Sequence, residues 1–289
     1  MEQKLYKFSG AGNDFVVIDG REGDVSPFRE VSRIEALCKE FKTDGLMILG
    51  SGDAEVDFTM EFYNPDGSGG MMCGNGGRCI VAFADYLGIR PGERFLHPDG
   101  VRNDNVFLFR APDGLHTGEI LERPEDGLWE VRIKMIDVHG VTPMLGGLFL
   151  NTGTRHFVKF VDDVEQVDID TEGKALRWDP AFAPVGTNVN FVHIAPDGLH
   201  VRTFEKGVEG ETLACGTGLT ACAIAAYVRD SFVGQSPSRS DKDVIPSEAK
   251  ESYRLRARQD WLSVNFTPGP DEKFTDVYLT GPARLVGIF

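Results

Sequence analysis

Two cysteines stand at glycine-rich turns of similar composition. The first turn, Cys73–Arg78, reads CGNGGR, and the second, Cys215–Thr220, reads CGTGLT. Apolar residues at helical spacing follow each turn, so both turns are predicted to begin a helix. The start of a helix carries N–H groups without intrahelical partners and the positive end of the macrodipole, which can bind a carboxylate and lower the pKa of a nearby thiol. Acting together, the two turns would present two thiols to one anion.

This pair of thiols suits one particular reaction. With a carboxylate bound between the turns, one thiolate could remove a proton from the neighbouring carbon while the other thiol delivers a proton to the opposite face. Such an exchange inverts a stereocentre without a cofactor. Backbone amides would stabilise the negative charge that accumulates on the carboxylate. Because two thiolates would repel each other and leave no proton donor, we expect the pair to share one proton.

Composition narrows the class of partner. The 289 residues favour two domains, and the formal net charge of −15 argues against a broad nucleic-acid surface. Neither a long apolar segment at the N-terminus nor a membrane-spanning stretch of about 18 apolar residues is found, so we expect a cytoplasmic protein with a small-molecule partner. Five cysteines at irregular spacing predict reduced thiols, with no disulfide framework and no metal site.

The chain also shows signs of an internal duplication. Phe15 and Phe157 are separated by 142 positions, and the same 142 positions separate Cys73 from Cys215. Two further landmark pairs, at positions 43 and 187 and at 64 and 205, are separated by 144 and 141 positions. We therefore predict two copies of a strand–helix–strand–turn–helix unit. The predicted domains are residues 1–130 with 277–289 and residues 131–276, with a turn at 97–100 and an exposed polar loop at 231–252.

Five segments together resemble the diaminopimelate epimerase family: GAGNDF at 10–15, NPDGS at 64–68, MCGNGGRC at 72–79, GTNVNF at 186–191 and ETLACGTG at 211–218. The resemblance runs nearly from end to end. It implies an α/β fold of two pseudo-symmetric domains, each a sheet wrapped around a central helix, with the site in the cleft between them. It also implies cofactor-free interconversion of LL- and meso-diaminopimelate, usually by a homodimer, in the route to lysine and peptidoglycan.

The resemblance assigns roles to residues that match the family's motifs. Cys73 and Cys215 match the two acid/base cysteines, and the amides that bind the reacting carboxylate match Gly74, Asn75, Gly216 and Thr217. The other positions expected to bind or surround the amino-acid substrate are Asn13, Asn64, His156, Asn188, Glu205 and Lys206. Among these, Glu205 is expected to bind an ammonium group, whereas Asn64 alone could equally serve its own turn. Arg78 is assigned to helix or domain packing, outside the site.

Several residues depart from the family's usual pattern, and three of them matter most for the choice of substrate. Lys206 replaces an arginine, which keeps the charge but loses the planar grip on a carboxylate. Thr154 and Arg155 replace an asparagine and a proline before the histidine, although Arg155 could supply a guanidinium if it points inward. These changes concern the far end of the substrate, so the sequence predicts the reaction type more firmly than the substrate.

Two kinds of alternative therefore stay open, and a third is disfavoured. A related cofactor-independent racemase of another amino acid would share the cysteine pair. A non-catalytic amino-acid-binding protein or a thiol-redox protein could use the same fold. An isomerase of the phenazine-biosynthesis type shares the general fold but lacks the cysteine pair, so the presence of both thiols counts against it.

Overall fold

The computed structural model describes residues 3–70, 72–92, 104–233, 251–258 and 260–289. The chain divides into two compact units, the first formed by residues 1–134 with 280–289 and the second by residues 135–279. The predicted boundaries after residues 130 and 276 lie four and three residues before these divisions. The turn predicted at 97–100, and the loop predicted at 231–252 apart from its two ends, lie outside the described residues.

The elements follow the chain in this order. The first unit contains β1 (Leu5–Gly10), β2 (Asn13–Asp19), α1 (Val31–Phe41), β3 (Gly45–Ser51), β4 (Phe58–Tyr63), α2 (Gly74–Tyr86), β5 (Val106–Ala111), β6 (Gly114–Glu125) and β7 (Leu128–Lys134). The second contains β8 (Val138–His139), β9 (Thr142–Met144), β10 (Gly147–Asn151), β11 (Arg155–Phe160), α3 (Lys174–Arg177), β12 (Asn188–Ala195), β13 (Gly198–Glu205), β14 (Gly210–Thr212), α4 (Gly216–Val233), β15 (Glu251–Arg256) and β16 (Trp261–Pro268). The last strand, β17 (Lys273–Ile288), begins in the second unit and ends in the first.

The strands of the first unit close into a barrel. Strands β1 to β6 pair in sequence with alternating antiparallel and parallel neighbours, and β6 pairs antiparallel with β7. Both β1 and β7 then pair with the end of β17, which completes the circle. Closure removes the unpaired edges that an open sheet would expose.

Helix α2 fills this barrel. Every residue from Gly74 to Ala84 is buried, as expected for a helix that is small or apolar on all sides. The barrel wall is close to the helix, since a Cβ at Gly118 of β6 would lie 2.5 Å from Val81 Cγ2. Helix α1 instead packs with strands β2 and β3, where Ile34, Leu37 and Cys38 are buried. The predicted core position of Cys38 is therefore confirmed.

The second unit repeats the strand pattern of the first. Strands β10, β11, β12, β13, β15 and β16 pair in that order as antiparallel, parallel, antiparallel, parallel and antiparallel neighbours. The same alternation joins β1 to β6, and in each unit a buried helix follows the fourth strand of the series. The internal duplication predicted from the 142-residue offset is thus confirmed, as is the α/β fold class. Among the helices described, none is long and apolar enough to cross a membrane.

Candidate active site

Cys73 caps the N-terminus of α2. Its backbone is extended, with φ −98° and ψ 147°, and its Sγ accepts a hydrogen bond from the backbone N–H of Gly76 over 3.1 Å. A Cβ at position 76 would lie 3.2 Å from this sulfur, so glycine eases the close approach. Both the N–H donor and the positive end of the helix macrodipole favour a thiolate over a thiol. The first turn therefore places Cys73 where it can act as a base.

A buried arginine orients the polar groups beside this turn. Arg78 is fully buried and donates to the carbonyl oxygen of Gly74 over 3.2 Å and to Oδ1 of Asn75 over 2.9 Å. Because a guanidinium has only donors, the contact identifies which end of the Asn75 amide is the oxygen. Asn75 Nδ2 then donates to Asn13 Oδ1 over 2.5 Å. This leaves Nδ2 of Asn13 as the donor available to a ligand, and Arg78 supports the site as well as the helix.

A tight hairpin brings Asn13 to this position. Strands β1 and β2 are joined by Ala11 and Gly12, whose φ angles of 55° and 88° fit a two-residue turn with positive φ at both central positions. Gly10, on the strand before the turn, approaches the helix so closely that a Cβ there would lie 2.8 Å from the carbonyl oxygen of Asn75. The Gly-rich segment at 10–14 is therefore a packing device that places Asn13 against the start of α2.

Asn64 occupies a separate turn of the first unit. Its backbone N–H donates to the carbonyl oxygen of Ser68 over 2.9 Å, and its Nδ2 donates to Ser68 Oγ over 3.0 Å. Within the described residues, its side chain makes no hydrogen bond to the Cys73 turn. The structure thus brings Asn13, Gly74 and Asn75 together, whereas the contribution of Asn64 to binding stays a prediction.

Cys215 lies directly before α4 in the second unit. Its carbonyl oxygen accepts the N–H of Leu219 over 2.9 Å, which is the first bond of the helix, and its side chain is buried. The Sγ atom lies 3.4 Å from Oγ1 of Thr217, within hydrogen-bonding distance for sulfur. Each repeat therefore has a cysteine immediately before its buried helix, with a donor group close to the sulfur.

His156 is buried beside the Cys215 turn. Its ring is fully buried, and burial lowers its pKa to about 3, so the imidazole is neutral at physiological pH. Nε2 lies 2.9 Å from Thr154 Oγ1 and 3.0 Å from Thr217 Oγ1, while Nδ1 lies 3.1 Å from Asn190 Nδ2. Both ring nitrogens are thus engaged by protein groups. In the structure the ring contacts Thr217 of the Cys215 turn, and a contribution of His156 to substrate binding stays a prediction.

Asn188 holds two backbone segments of the second unit together. Its Oδ1 accepts the backbone N–H of Lys206 over 2.8 Å, and its Nδ2 donates to the carbonyl oxygen of Arg155 over 3.1 Å. The Lys206 side chain is exposed. The Arg155 guanidinium stacks on the ring of Phe149 at 5.1 Å and donates to the carbonyl oxygen of Phe182 over 3.3 Å. Arg155 is therefore occupied by its own unit, and Lys206 is the more accessible cation.

Glu205, which precedes Lys206, is a half-buried carboxylate. Burial raises its pKa above the ordinary value for glutamate. Within the part of the chain that the structure describes, no lysine or arginine forms an ion pair with it. A half-buried carboxylate of this kind is stabilised when a cation binds, and an ammonium group would fit that need.

The other cysteines belong to the core. Burial raises the pKa of Cys38, Cys79 and Cys222 above the ordinary value for a thiol, which keeps them protonated and unreactive. Among the five cysteines, Cys73 and Cys215 are therefore the candidates for acid/base chemistry.

Sequence reasoning missed Asn190 and assigned no role to the Thr154 hydroxyl. Alternation along neighbouring strands could have indicated both, because residues two apart share one face of a strand. Thr154 and His156 stand two positions apart, as do Asn188 and Asn190, and His156 pairs with Asn188 in the parallel ladder of β11 and β12. Three polar residues on one face of two buried strands, with Thr154 directly before the first strand, are a sign of a hydrogen-bonded network.

Comparison with known proteins identifies the fold and then the family. A phenazine biosynthesis protein of the PhzF family from Bacillus anthracis superposes with a TM-score of 0.68 at 11% identity, covering 100% of this chain and 99% of that one. The chain therefore has the fold of that class of proteins. The family model for diaminopimelate epimerase matches residues 5–106 and 148–243.

Curated relatives agree with the family model. The chain is 36% identical over 287 residues to the diaminopimelate epimerase of Flavobacterium psychrophilum, covering 98% of both chains. It is 42% identical over 238 residues to that of Aquifex aeolicus, covering 78% of this chain and 82% of the relative. The chain belongs to the diaminopimelate epimerase family, as its motifs predicted.

Proposed function

We propose that this chain is an isomerase that interconverts LL- and meso-diaminopimelate, with Cys73 and Cys215 as its two acid/base groups. The observation that carries this proposal is the placement of one cysteine before the buried helix of each repeat, in a chain of the diaminopimelate epimerase family. The reaction would serve the synthesis of lysine and of peptidoglycan precursors.

The reaction consists of two proton transfers at one carbon. One cysteine, as a thiolate, takes the α-proton, and the electron pair of the broken C–H bond is delocalised into the carboxylate. The other cysteine, as a thiol, gives its proton to the opposite face, so the two sulfurs exchange protonation states and nothing is oxidised or reduced. The carboxylate charge is stabilised by the helix amides that the family resemblance assigns to it, those of Gly74, Asn75, Gly216 and Thr217.

The remaining polar groups recognise the substrate. The half-buried carboxylate of Glu205 binds an ammonium group, and Nδ2 of Asn13 donates to a carboxylate. Lys206 contributes a point charge toward the distal carboxylate, with the backbone around it fixed by Asn188. Asn64 completes this set as a prediction from the family resemblance.

A second candidate function is racemisation of a different amino acid. It is favoured by one observation: Arg155 is held against Phe149 and Phe182, so it does not replace the guanidinium that Lys206 lacks. A substrate without a distal carboxylate would not require a guanidinium at this place.

Chiral chromatography of diaminopimelate stereoisomers tests the proposal. Starting from either LL- or meso-diaminopimelate, the purified chain is expected to produce the same equilibrium mixture. Cys38→Ala, which removes a buried thiol of α1, should stay active, whereas Cys73→Ala and Cys215→Ala should be inactive. Faster turnover of another amino acid from a panel would favour the second candidate. Binding of an amino acid without turnover of any member of the panel would reject the proposal that the chain is an enzyme.

The expected homodimer and cytoplasmic location stay predictions. Light scattering coupled to size-exclusion chromatography distinguishes a dimer from a monomer of 31.8 kDa. Fractionation of the source cells with an antibody against the chain tests the location.

A further inference from the structure

The buried polar groups next to Cys215 form a hydrogen-bonded network in which the donor and the acceptor of each bond can be assigned. It begins at Asn190, whose Nδ2 donates to the carbonyl oxygen of Phe157 over 3.2 Å, while its Oδ1 accepts the hydroxyl of Thr203 over 3.0 Å. A carbonyl oxygen can only accept, so the amide of Asn190 has one permitted orientation. The second hydrogen on Nδ2 is then available to Nδ1 of His156, which lies 3.1 Å away.

This contact determines the tautomer of the histidine. Nδ1 of His156 accepts from Asn190 and therefore carries no proton, so a neutral ring must carry its proton on Nε2. Burial lowers the pKa of His156 to about 3, which keeps the ring neutral at physiological pH. The imidazole thus has one donor, Nε2–H, directed at the hydroxyls of Thr154 and Thr217.

The two threonines extend the same donor-to-acceptor order from His156 to the sulfur of Cys215. Thr154 Oγ1 lies 2.9 Å from His156 Nε2, whose hydrogen it shares with Thr217 Oγ1 at 3.0 Å. It also lies 3.4 Å from Nδ2 of Asn188, whose donor role is fixed by its bond to a backbone carbonyl. With two donors on its oxygen, the Thr154 hydroxyl donates onward to Thr217 Oγ1 at 3.0 Å. The Thr217 hydroxyl hydrogen is then directed at Cys215 Sγ, 3.4 Å away.

The packing around this network is close enough to preserve it. A Cβ at Gly218 would lie 2.5 Å from Asn190 Oδ1 and 3.3 Å from both His156 Cε1 and Cys215 Cβ, so glycine is required where the helix passes. The hydroxyl of Thr152 donates to the carbonyl oxygen of Thr217 over 2.8 Å, which fixes the backbone of the turn.

We propose that Thr154, His156 and Asn190 are positioning residues that hold the Thr217 hydroxyl as a hydrogen-bond donor to Cys215 Sγ and so favour the thiolate of Cys215. The significance of this relay for catalysis rests on the proposed function, whereas its effect on the thiol does not. Two titratable neighbours, His156 and Cys222, are both neutral near pH 7, because burial lowers the pKa of the first and raises that of the second. A hydroxyl hydrogen bond to the sulfur therefore adds to the effect of the helix N-terminus in stabilising the thiolate.

The pH dependence of alkylation tests the relay without any substrate. The rate of iodoacetamide reaction is followed at Cys215 and Cys73 separately by mass spectrometry of their peptides. Cys73 serves as the internal control, because a backbone N–H of its own helix bonds its sulfur. In Thr154→Val, which keeps the shape and removes the hydroxyl, we expect the alkylation rate of Cys215 near neutral pH to fall by roughly three- to tenfold. Thr154→Ser should restore it.

A double-mutant cycle separates the relay from a general loosening of the turn. Thr217→Val removes the last donor directly, so it should slow Cys215 at least as much as Thr154→Val does. The double variant should then react like Thr217→Val alone, because both residues act along one path. Equal slowing of Cys73 and Cys215, additive effects of the two substitutions, or an unchanged rate at Cys215 in Thr154→Val would each overturn the proposal. None of these outcomes depends on epimerase activity.

Discussion

Arg78 and Asn75 are joined by a buried hydrogen bond of 2.9 Å, and this bond orients the amide that donates to Asn13. The same guanidinium also donates to the carbonyl oxygens of Gly74 and Pro282. One side chain therefore fixes the first turn of the helix behind Cys73 and the direction of the donors beside it.

Replacing this arginine should impair catalysis even when its charge is kept. Lysine has a single nitrogen and cannot donate to three acceptors that lie in one plane. In Arg78→Lys the side-chain amides of Asn75 and Asn13 should therefore be able to rotate out of their native orientation. We expect kcat/KM for diaminopimelate to fall by about 100-fold, the effect of a modest misplacement of catalytic groups. The matched control is Arg110→Lys, a partly exposed arginine of the same unit that forms a surface ion pair with Asp53. Full activity of Arg78→Lys would contradict the orienting role.

The two cysteines should be separately essential. Cys73→Ala or Cys215→Ala removes one of the two proton-transfer groups, so epimerisation should fall by at least about 10³-fold in each variant. The circular dichroism spectrum and the affinity for substrate should be unchanged, because each substitution removes only a sulfur that precedes a helix and leaves the helix intact. A variant that keeps a tenth or more of the wild-type rate would show that its thiol is not an acid or base in the reaction.

Glu205 should show a conflict between stability and binding. Its folded-state pKa is raised by burial, so the folded protein retains the proton to a higher pH than the unfolded chain does. The unfolding free energy therefore decreases as pH rises through this pKa, and Glu205→Gln should be the more stable protein at pH 7 but not at low pH. Calorimetry at both pH values measures this difference. The same variant should lose roughly 10- to 100-fold in kcat/KM, because it lacks the charge that binds ammonium.

His156 should make the protein sensitive to acid. Its folded-state pKa of about 3 lies below the ordinary value of 6.5, so between these values the unfolded chain binds a proton that the folded protein does not. The unfolding free energy should thus fall with decreasing pH across this window, by at most about 1.4 kcal/mol per pH unit from this group. Urea unfolding of the wild type and of His156→Gln should give pH profiles that diverge below pH 6.5. Parallel profiles would show that the ring is protonated in the fold.

Lys206 should limit the affinity for a distal carboxylate. An arginine there could donate two parallel hydrogen bonds, so Lys206→Arg is expected to lower KM for diaminopimelate by roughly three- to tenfold with little change in kcat. Steady-state kinetics measure both values, and Lys174→Arg, at the start of the short helix α3, is the matched control. An unchanged KM would place the distal carboxylate elsewhere and would strengthen the case for a different amino acid.

Local sequence signals were sufficient for the repeat and its cysteines. Cys73 and Cys215 stand at glycine-rich helix starts, and the helix positions depend mainly on residues near them in the chain. The shared offset from Phe15 and Phe157 then indicated the duplication, which the strand order confirms.

Contacts between residues that are far apart in the chain could not be predicted from such local signals. Arg78 reads as an ordinary helical residue, and its bond to Pro282 spans 204 positions. His156 was predicted near the substrate from the family resemblance alone, and its burial and the hydrogen-bond partners of both ring nitrogens could not be read from the sequence. Only the paired strands β11 and β12 show that His156 and Asn190 meet.

Solvent-hydrogen exchange tests the central claim most directly. The chain is incubated in D2O with LL-diaminopimelate and, separately, with meso-diaminopimelate. At early times the two stereoisomers are separated, and the deuterium content of each is measured by mass spectrometry. Two thiols on opposite faces predict one deuterium at the α-carbon of each newly formed product, while unreacted substrate stays largely unlabelled. Product that forms without deuterium, or an absence of exchange with both isomers while another amino acid is labelled rapidly, would contradict the account.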